Sequence, residues 1–137
     1  AGTTGVTVFP RAVFDLYPFK HVNHKYGHGI GDDVLRRFAD MANQATRDHD
    51  TLARWGGEEF VLLLGNSSLA ASHAGLERLR EVVAAHTIAI GTHAISVTMS
   101  AGIAEPLEGE SYERVLSRAD HALYVAKARG RNAVVSA

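Results

Sequence analysis

Residues 54–64 read Arg-Trp-Gly-Gly-Glu-Glu-Phe-Val-Leu-Leu-Leu, an apolar stretch that two glycines interrupt and that resumes after two carboxylates. Two arms joined by Gly56-Gly57 predict a β-hairpin, because glycine adopts the positive φ angles of a two-residue turn at little steric cost. Glu58 and Glu59 then lie at the mouth of a strand, where successive side chains point to opposite faces, so we expect them to have different roles. Taken alone, the pattern is more typical of a hairpin with a solvated acidic tip.

The composition indicates one globular domain of 137 residues without a basic surface, since the net charge is −1 and the pI is about 6.8. The absence of cysteine excludes disulfides and thiolate metal sites and suits a reducing, cytoplasmic compartment. No apolar run reaches the roughly 20 residues of a membrane span. We therefore expect no contact with a nucleic-acid polymer and no membrane contact by this stretch.

Hydrophobic periodicity predicts strands that alternate with helices. A strand is expected at residues 6–16, with an edge, bulge or break at Pro10, and a short helix from Pro18 through about Tyr26, which Gly27 ends. Asp32 or Asp33 is expected to cap a helix that runs to residue 48. The remaining predictions are hairpin arms at 51–55 and 58–64, a helix at 69–86, strands at 87–90 and 93–104, a helix at 111–129 and a strand at 132–135.

This order predicts an α/β (α+β) sandwich in which helices flank a mixed, largely antiparallel central sheet. In the strand at 93–104, one alternating set should face the core and the other should face away: Ile95, Val97, Met99, Ala101 and Ile103 inward, and Ala94, Ser96, Thr98, Ser100 and Gly102 outward. The last long helix should bury Tyr112, Val115, Leu116, Ala119, Leu123 and Ala126.

Two acidic residues lie at strand ends, Asp15 and Glu58. If their strands are neighbours, the two carboxylates and a nearby main-chain oxygen could hold Mg²⁺, which favours a few carboxylates plus substrate phosphates. A zinc site built from His21, His24 and His28 is a weaker hypothesis, because Gly27 should break the helix between them and no HExxH pattern is present.

Three further segments accompany the Gly-Gly-Glu-Glu-Phe turn. They read Phe-Asp-Leu-Tyr-Pro-Phe-Lys-His-Val-Asn at 14–23, Tyr-Gly-His-Gly-Ile-Gly-Asp at 26–32 and Ala-Leu-Tyr-Val-Ala-Lys-Ala-Arg-Gly-Arg-Asn at 122–132. In sequence and in spacing, the four segments resemble the signature segments of the GGDEF family, the diguanylate cyclases, with the turn in its GGEEF form. The resemblance covers the chain from residue 13 onward and implies the fold shared by nucleotidyl cyclases and polymerase palm domains.

The resemblance also implies roles for individual residues. Asp15, the Leu16 carbonyl and Glu58 would bind Mg²⁺, with Mn²⁺ as the alternative metal, and Glu59 would lie near a reacting 3′-hydroxyl beside Gly56 and Gly57. The implied substrate-binding residues are Asn23 and Asp32 at the guanine edge, Lys20, and Lys127 and Arg131 at the triphosphate. Without the resemblance, Lys127 and Arg131 would more simply be solvated cations at a helix end.

A product-binding inhibitory site is implied for Arg47-x-x-Asp50, five residues before the glycine pair, with Arg78 as a second arginine. The pattern itself is common, because Arg37-x-x-Asp40 also satisfies it, and a local ion pair at a helix end is the alternative. An exposed pair of that kind is worth less than about 1 kcal/mol.

By resemblance, residues 1–137 are one GGDEF domain, an N-terminally truncated piece of a larger signalling protein. Such domains condense two GTP into cyclic di-GMP and pyrophosphate as a homodimer. Tyr17, Pro18 and His24 depart from the family pattern. The alternative function is therefore a weakly active or inactive domain that binds cyclic di-GMP or GTP as a regulatory module.

Overall fold

The structure, a computed structural model, describes residues 9–45, 51–56, 59–64 and 68–137, and for residues 51–56 and 63 it describes only the backbone. The strands are β1 (Arg11–Tyr17), β2 (Thr51–Gly56), β3 (Glu59–Leu63), β4 (Ile88–Ile90), β5 (His93–Ile95), β6 (Thr98–Ala104) and β7 (Val134–Ser136). The helices are α1 (Phe19–Tyr26), α2 (His28–Ala45), α3 (Leu69–Ala85) and α4 (Tyr112–Ala128).

β1 is the central strand of a five-stranded sheet with the order β2-β3-β1-β6-β7, and it runs antiparallel to both of its neighbours. Among the strands that the structure describes, only β6 and β7 pair in parallel, so the predicted mixed, largely antiparallel sheet is confirmed. The strand begins directly after Pro10, whose carbonyl accepts a hydrogen bond from the Leu64 N–H at 3.0 Å. Pro10 therefore marks the predicted break, and residues 1–8 lie outside the described part of the chain.

Helices cover both faces of this sheet, which confirms the sandwich. On one face, α1, α2 and α3 pack on the larger core, where the rings of Phe14, Phe38 and Phe60 lie 5.2–5.6 Å apart. On the other face, α4 packs on β1 and β6 around a smaller cluster: Val13, Ala104, Val115, Ala119 and Leu123. Side chains of β1 alternate between the two cores, so the strand is buried on both faces.

Gly102 decides how closely α4 approaches the sheet. A Cβ atom at this position would lie 2.0 Å from the carbonyl oxygen of Ala119 and 2.3 Å from the amide nitrogen of Leu123. Both are main-chain atoms of α4. The helix backbone therefore packs directly against β6, and this contact fixes the C-terminal end of α4 beside the end of β1.

The prediction that Asp32 or Asp33 caps α2 was wrong, because α2 begins at His28. Gly27, with φ of 91°, ends α1, and its carbonyl accepts the N–H of Gly31 at 3.1 Å as α2 starts. Gly29 and Gly31 lie within α2 instead of preceding it. In contrast, the serine caps of α3 and α4 are clear, since Ser68 and Ser111 accept the N–H groups of residues three positions later.

The predicted strand at 93–104 is divided into β5 and β6. β5 pairs with β4 in a separate two-stranded sheet, whereas β6 joins the main sheet. All five residues that were predicted to face the core are buried. Ser100 and Gly102 are buried too, contrary to the prediction, because α4 covers the second face of β6.

Two smaller predictions also need correction. Tyr112 was expected to point inward, but it is 48% exposed and its ring contacts the Arg11 guanidinium at 5.1 Å. The first hairpin arm is one residue longer than predicted, since β2 continues to Gly56, and the second ends one residue earlier, since β3 runs from Glu59 to Leu63. The pairing is irregular between Arg54 and Gly56, and Glu58 lies outside the described residues. Within the described residues, no helix has both the length and the apolar character that crossing a membrane requires.

Candidate active site

A cavity of about 660 Å³ opens where β1 ends, between the first turn of α1 and the end of α4. We call it the β1–α1 cavity, and it is lined by Asp15, Leu16, Tyr17, Pro18, Phe19, Lys20, His21, Lys127 and Arg131. Five of the predicted site residues thus meet in one place. Three of the five are cations that come from two helix ends and a turn, and one is a carboxylate at the end of the central strand.

Asp15 is the buried anion of this cavity, with a side chain only 9% exposed, and Lys127 forms an ion pair with its Oδ2 atom. The pairing explains how a carboxylate is tolerated at the end of a strand that is otherwise apolar, since a buried charge needs a partner. Across the sheet, Asp15 pairs in register with Glu59 of β3 and Ser100 of β6. β1 and β3 are therefore neighbours, as the two-carboxylate hypothesis required.

Arg131 is held at the mouth of the same cavity by the ring of Tyr17. Its guanidinium carbon lies 4.4 Å from the ring centroid, in the geometry of a cation–π contact. Tyr17 is 51% exposed and Arg131 is itself exposed, so the side chain of Arg131 is accessible to solvent and to an anionic ligand. The Tyr17–Pro18 peptide bond is cis.

Asn23 lines a second cavity of about 380 Å³ together with Lys20, His24 and His28. Its Oδ1 atom is buried and has no hydrogen-bond partner among the residues that the structure describes. Gly31 makes room for this side chain, because a Cβ atom there would lie 1.7 Å from Oδ1. An acceptor that is buried without a partner is costly, which fits a position completed by a donor from a ligand.

The remaining predicted site residues lie apart from the two cavities or outside the described residues. Asp32 is exposed on α2 and Arg78 is exposed on α3. Glu59 is partly buried and lines a third cavity of about 400 Å³ between β3 and α4. Gly56 is described only by its backbone, which pairs with Glu59. The predictions for Arg47, Asp50, Gly57 and Glu58 fall on residues outside the described part of the chain.

Within the described residues, no three histidine or carboxylate side chains converge in a way that could hold a metal ion. His21, His24 and His28 are exposed and divided between the two cavities, since His21 lines the first and the other two line the second. A cation bound at Asp15 would therefore need the Leu16 carbonyl, residues of the hairpin turn and ligand oxygens to complete its coordination. Mg²⁺ suits such a partial set of hard oxygen donors.

The sequence analysis did not identify the residues that hold the cavity residues in position without lining the cavity themselves. Asn132 donates its N–H to the buried Ser100 hydroxyl and accepts a hydrogen bond from Arg80 of α3. The role of Gly31 as the space for Asn23 was missed as well. A glycine inside a helical stretch is the one local signal that could have suggested it, because such a glycine weakens the helix unless it serves packing or function.

The family model described as "Diguanylate cyclase, GGDEF domain" matches residues 10–133, which is most of the chain. This chain belongs to the GGDEF domain family. The family prediction made from the four sequence segments is therefore confirmed.

Relatives of this GGDEF domain include Diguanylate cyclase A of Treponema denticola, which is 42% identical over 123 residues. The match covers 89% of this chain but only 33% of that relative, so the chain spans about a third of its length. Among solved structures, the GGDEF domain of DgcB from Caulobacter crescentus in complex with c-di-GMP has a TM-score of 0.90 and 33% identity, covering 98% of this chain and 81% of that chain. The active GGEEF domain of a diguanylate cyclase from Vibrio cholerae has a TM-score of 0.85 and 29% identity, covering 95% and 83%.

Proposed function

We propose that this GGDEF domain condenses two molecules of GTP into one cyclic di-GMP and two pyrophosphates. The observation that carries the proposal is the β1–α1 cavity, in which one buried carboxylate faces three cations, Lys20, Lys127 and Arg131. A triphosphate needs several cations in one place, and a metal-assisted phosphoryl transfer needs a fixed carboxylate beside them. The family match and the similarity to the active GGEEF domain of a diguanylate cyclase from Vibrio cholerae support the same reaction.

Each of the two cavities would bind a different part of the nucleotide. Lys20 lines both, so a ligand that reaches from one to the other passes this cation. We assign the triphosphate to Lys127 and Arg131, and we assign the guanine to Asn23, whose buried Oδ1 acceptor would take a donor from the base. Asp32 would add a carboxylate acceptor from the exposed side of α2.

Asp15, the Leu16 carbonyl and Glu58 are the residues that would hold Mg²⁺, or Mn²⁺ as its alternative. When bound, Mg²⁺ would neutralise the phosphate oxygens and polarise the α-phosphate. Lys127 lies against Asp15 and inside the same cavity, so its ammonium group is placed to pass from the carboxylate to a phosphate oxygen when nucleotide enters.

The reaction requires a homodimer, because one site presents one GTP. The 3′-hydroxyl oxygen of each nucleotide attacks the α-phosphorus of the other and gives up its proton to a base at the site or to water. Each new O–P bond replaces the bond to the β-phosphate, so two pyrophosphates leave. Glu59 would lie near the attacking hydroxyl, and the backbone of Gly56 and Gly57 would allow the second nucleotide to approach closely. Because GTP is supplied in the cytoplasm, we expect the reaction to take place there. The chain would act as one domain of a longer signalling protein.

Product inhibition belongs to the same proposal. Arg47, Asp50 and the exposed Arg78 of α3 would bind cyclic di-GMP, since guanidinium groups hold guanine edges and phosphates with paired hydrogen bonds.

The test measures cyclic di-GMP and pyrophosphate formed from GTP and Mg²⁺, at protein concentrations where sedimentation shows a dimer. Asp15→Asn should lower the rate by about a hundredfold or more, because it removes a charge that the site needs for the metal. Asp40→Asn, the same change on the exposed side of α2, should leave the rate close to wild type. A fully active Asp15→Asn variant would contradict the site assignment. A wild-type protein that binds cyclic di-GMP without forming it would establish the binding-module function instead.

A further inference from the structure

Three successive residues after α4 have positive φ angles: Gly130 at 110°, Arg131 at 63° and Asn132 at 51°. We call residues 130–132 the α4–β7 turn. Its first part is a Schellman motif, in which the N–H of Gly130 bonds to the Lys127 carbonyl at 3.2 Å and the N–H of Arg131 bonds to the Ala126 carbonyl at 3.1 Å. That motif needs only the glycine to be left-handed. The left-handed conformations of Arg131 and Asn132 therefore require support from elsewhere in the fold.

Two other elements supply this support through Asn132. Its N–H donates to the hydroxyl of Ser100 on β6 at 3.0 Å, and Ser100 is only 1% exposed. Its side-chain Oδ1 accepts a hydrogen bond at 3.1 Å from Nη1 of Arg80 on α3. One hydrogen bond thus fixes the backbone of Asn132 and the other fixes its side chain. The acceptor, Ser100, and the donor, Arg80, lie 32 and 52 positions away in the sequence.

Arg80 is itself fixed in place. Its Nε donates to Glu77 Oε1 at 2.9 Å, its Nη2 lies 3.7 Å from Glu81 Oε1, and its side chain is only 18% exposed. The planar guanidinium therefore interacts with two carboxylates of α3 and also donates a hydrogen bond to Asn132. A lysine in this position would have a single ammonium group and could not match this arrangement.

The supported turn carries Arg131, whose guanidinium lies over the Tyr17 ring and lines the β1–α1 cavity. We propose that Arg80 and Ser100 are positioning residues that hold the α4–β7 turn in its left-handed conformation, so that Arg131 is directed at the triphosphate. The inference rests on the proposed function, which assigns the triphosphate to Arg131. Arg80 acts only through Asn132 and Arg131, and it lines neither of the two cavities assigned to the nucleotide.

The test compares the affinity for a GTP analogue with an α,β-methylene bridge with the affinity for GMP, by calorimetry in Mg²⁺. Arg80→Ala should weaken binding of the triphosphate by about tenfold and leave GMP binding unchanged, because a turn released from Asn132 no longer directs Arg131 at the phosphates. Arg36→Ala is the matched control. It removes an ion pair with Asp33, at 2.7 Å, which has the same three-residue spacing as the pair between Arg80 and Glu77. Because Arg36 makes no contact with the α4–β7 turn, this variant should change neither affinity.

Variants of Asn132 test the same hydrogen bond by changing its acceptor, and they also provide a test if Arg80→Ala fails to fold. Asn132→Gly introduces a residue that adopts positive φ without steric cost but removes the side-chain acceptor. It should therefore weaken binding of the triphosphate as Arg80→Ala does. Asn132→Asp keeps an acceptor for Arg80 and should restore triphosphate binding. Equal losses for GMP and the triphosphate, or full triphosphate affinity in Asn132→Gly, would overturn the proposal.

The double variant separates this inference from the proposed function. Arg131→Ala should lower triphosphate affinity by itself, and adding Arg80→Ala should then cost nothing more, because the two residues act as a unit. An additional loss in the Arg131→Ala background would show that Arg80 acts independently and would overturn the inference. If Arg131→Ala binds the triphosphate normally, the phosphate assignment in the proposed function fails instead.

Discussion

At the scale of single residues, the cavity proposed for guanine depends on the β-carbon that Gly31 lacks. Gly31 of α2 is buried against Asn23, and the amide of Asn23 occupies the volume that a β-carbon would need. The position of this amide therefore follows from the choice of glycine about one turn after the start of α2. Gly29 lies on the same helix but has no atom within 4 Å of its own Cβ position. The pair allows the steric effect to be separated from helix propensity.

We predict that Gly31→Ala displaces the Asn23 side chain and lowers the affinity for GTP by about tenfold, because the guanine loses an acceptor fixed in place. Gly29→Ala should leave GTP affinity unchanged and stabilise the fold by about 0.5–1 kcal/mol, since alanine is the better helix former. Competition binding with GTP and ATP measures the first effect, and urea unfolding measures the second. Equal GTP affinity in both variants would show that Asn23 does not contact the base.

Individual site residues were predictable from sequence where they belong to a contiguous motif. Asp15, Lys20, Lys127 and Arg131 occur in two short segments, and the structure brings them into one cavity. The support of Arg131 was not predictable, because its hydrogen bonds join residues 32 and 52 positions apart and depend on the left-handed turn. Tyr17 was identified only as a departure from the family, whereas its ring is the surface on which Arg131 rests.

At the scale of elements, the site depends on how α4 lies on the sheet. Lys127, near the end of α4, forms an ion pair with Asp15, and Arg131, in the Schellman motif after the helix, contacts the ring of Tyr17. Both positions require that the helix backbone approach β6 at Gly102, opposite a helix face of small buried residues: Ala119, Ala122 and Ala126. Small side chains on both elements allow this close approach.

We predict that Gly102→Ala destabilises the protein by about 3 kcal/mol or more, because the added carbon meets main-chain atoms of α4 that cannot rotate away. The free energy of unfolding in urea measures this. Gly75→Ala on α3 is the control, since the nearest atom to its Cβ position is 3.7 Å away, and it should be neutral or slightly stabilising. A loss below about 1 kcal/mol for Gly102→Ala would mean that α4 can shift on the sheet without cost.

Element types were predictable because apolar periodicity and serine caps are local signals, as at Ser68 and Ser111. The errors arose where tertiary contacts decide. Gly27 terminates α1 through its positive φ, while Gly29 and Gly31 remain inside α2, and a sequence pattern does not distinguish these cases. The burial of Ser100 and Gly102 similarly follows from the placement of α4 over β6. Periodicity along one strand does not report what covers its second face.

At the scale of the whole molecule, a nearly neutral protein maintains a locally charged site. The net charge is −1 over 137 residues, yet Lys20, Lys127 and Arg131 share one cavity. Charges elsewhere are taken up by ion pairs such as Arg36 with Asp33 and Arg80 with Glu77. The composition alone could not indicate a phosphate site for this reason, because local concentration of charge and net charge are independent quantities.

One of these ion pairs lies away from the site, in the segment that connects β6 to α4. Arg118 of α4 donates to both carboxylate oxygens of Glu110 at 2.7 Å and to the Glu105 carbonyl at 2.5 Å. Glu110 also accepts the N–H of Leu107 at 3.0 Å, so the segment from 105 to 110 is fastened to the helix at both ends. The hydrogen bonds from Arg118, then that from Leu107, lower the pKa of Glu110 from 4.5 to about 2.

We predict a pH dependence of the stability of the whole fold from this pair. A carboxyl group whose pKa is lowered by folding stabilises the folded state above its unfolded value of 4.5, and the stabilisation is lost as the pH falls toward about 2. Glu110→Gln should therefore lower the urea midpoint near neutral pH, and the difference from wild type should shrink as the pH falls through this range. Glu108→Gln, the same change on an exposed side chain of the same segment, should keep a midpoint close to wild type throughout. A difference between wild type and Glu110→Gln that stays constant down to about pH 2 would contradict the role of the ionised pair, because every contact that depends on the carboxylate charge must be lost when the group is protonated.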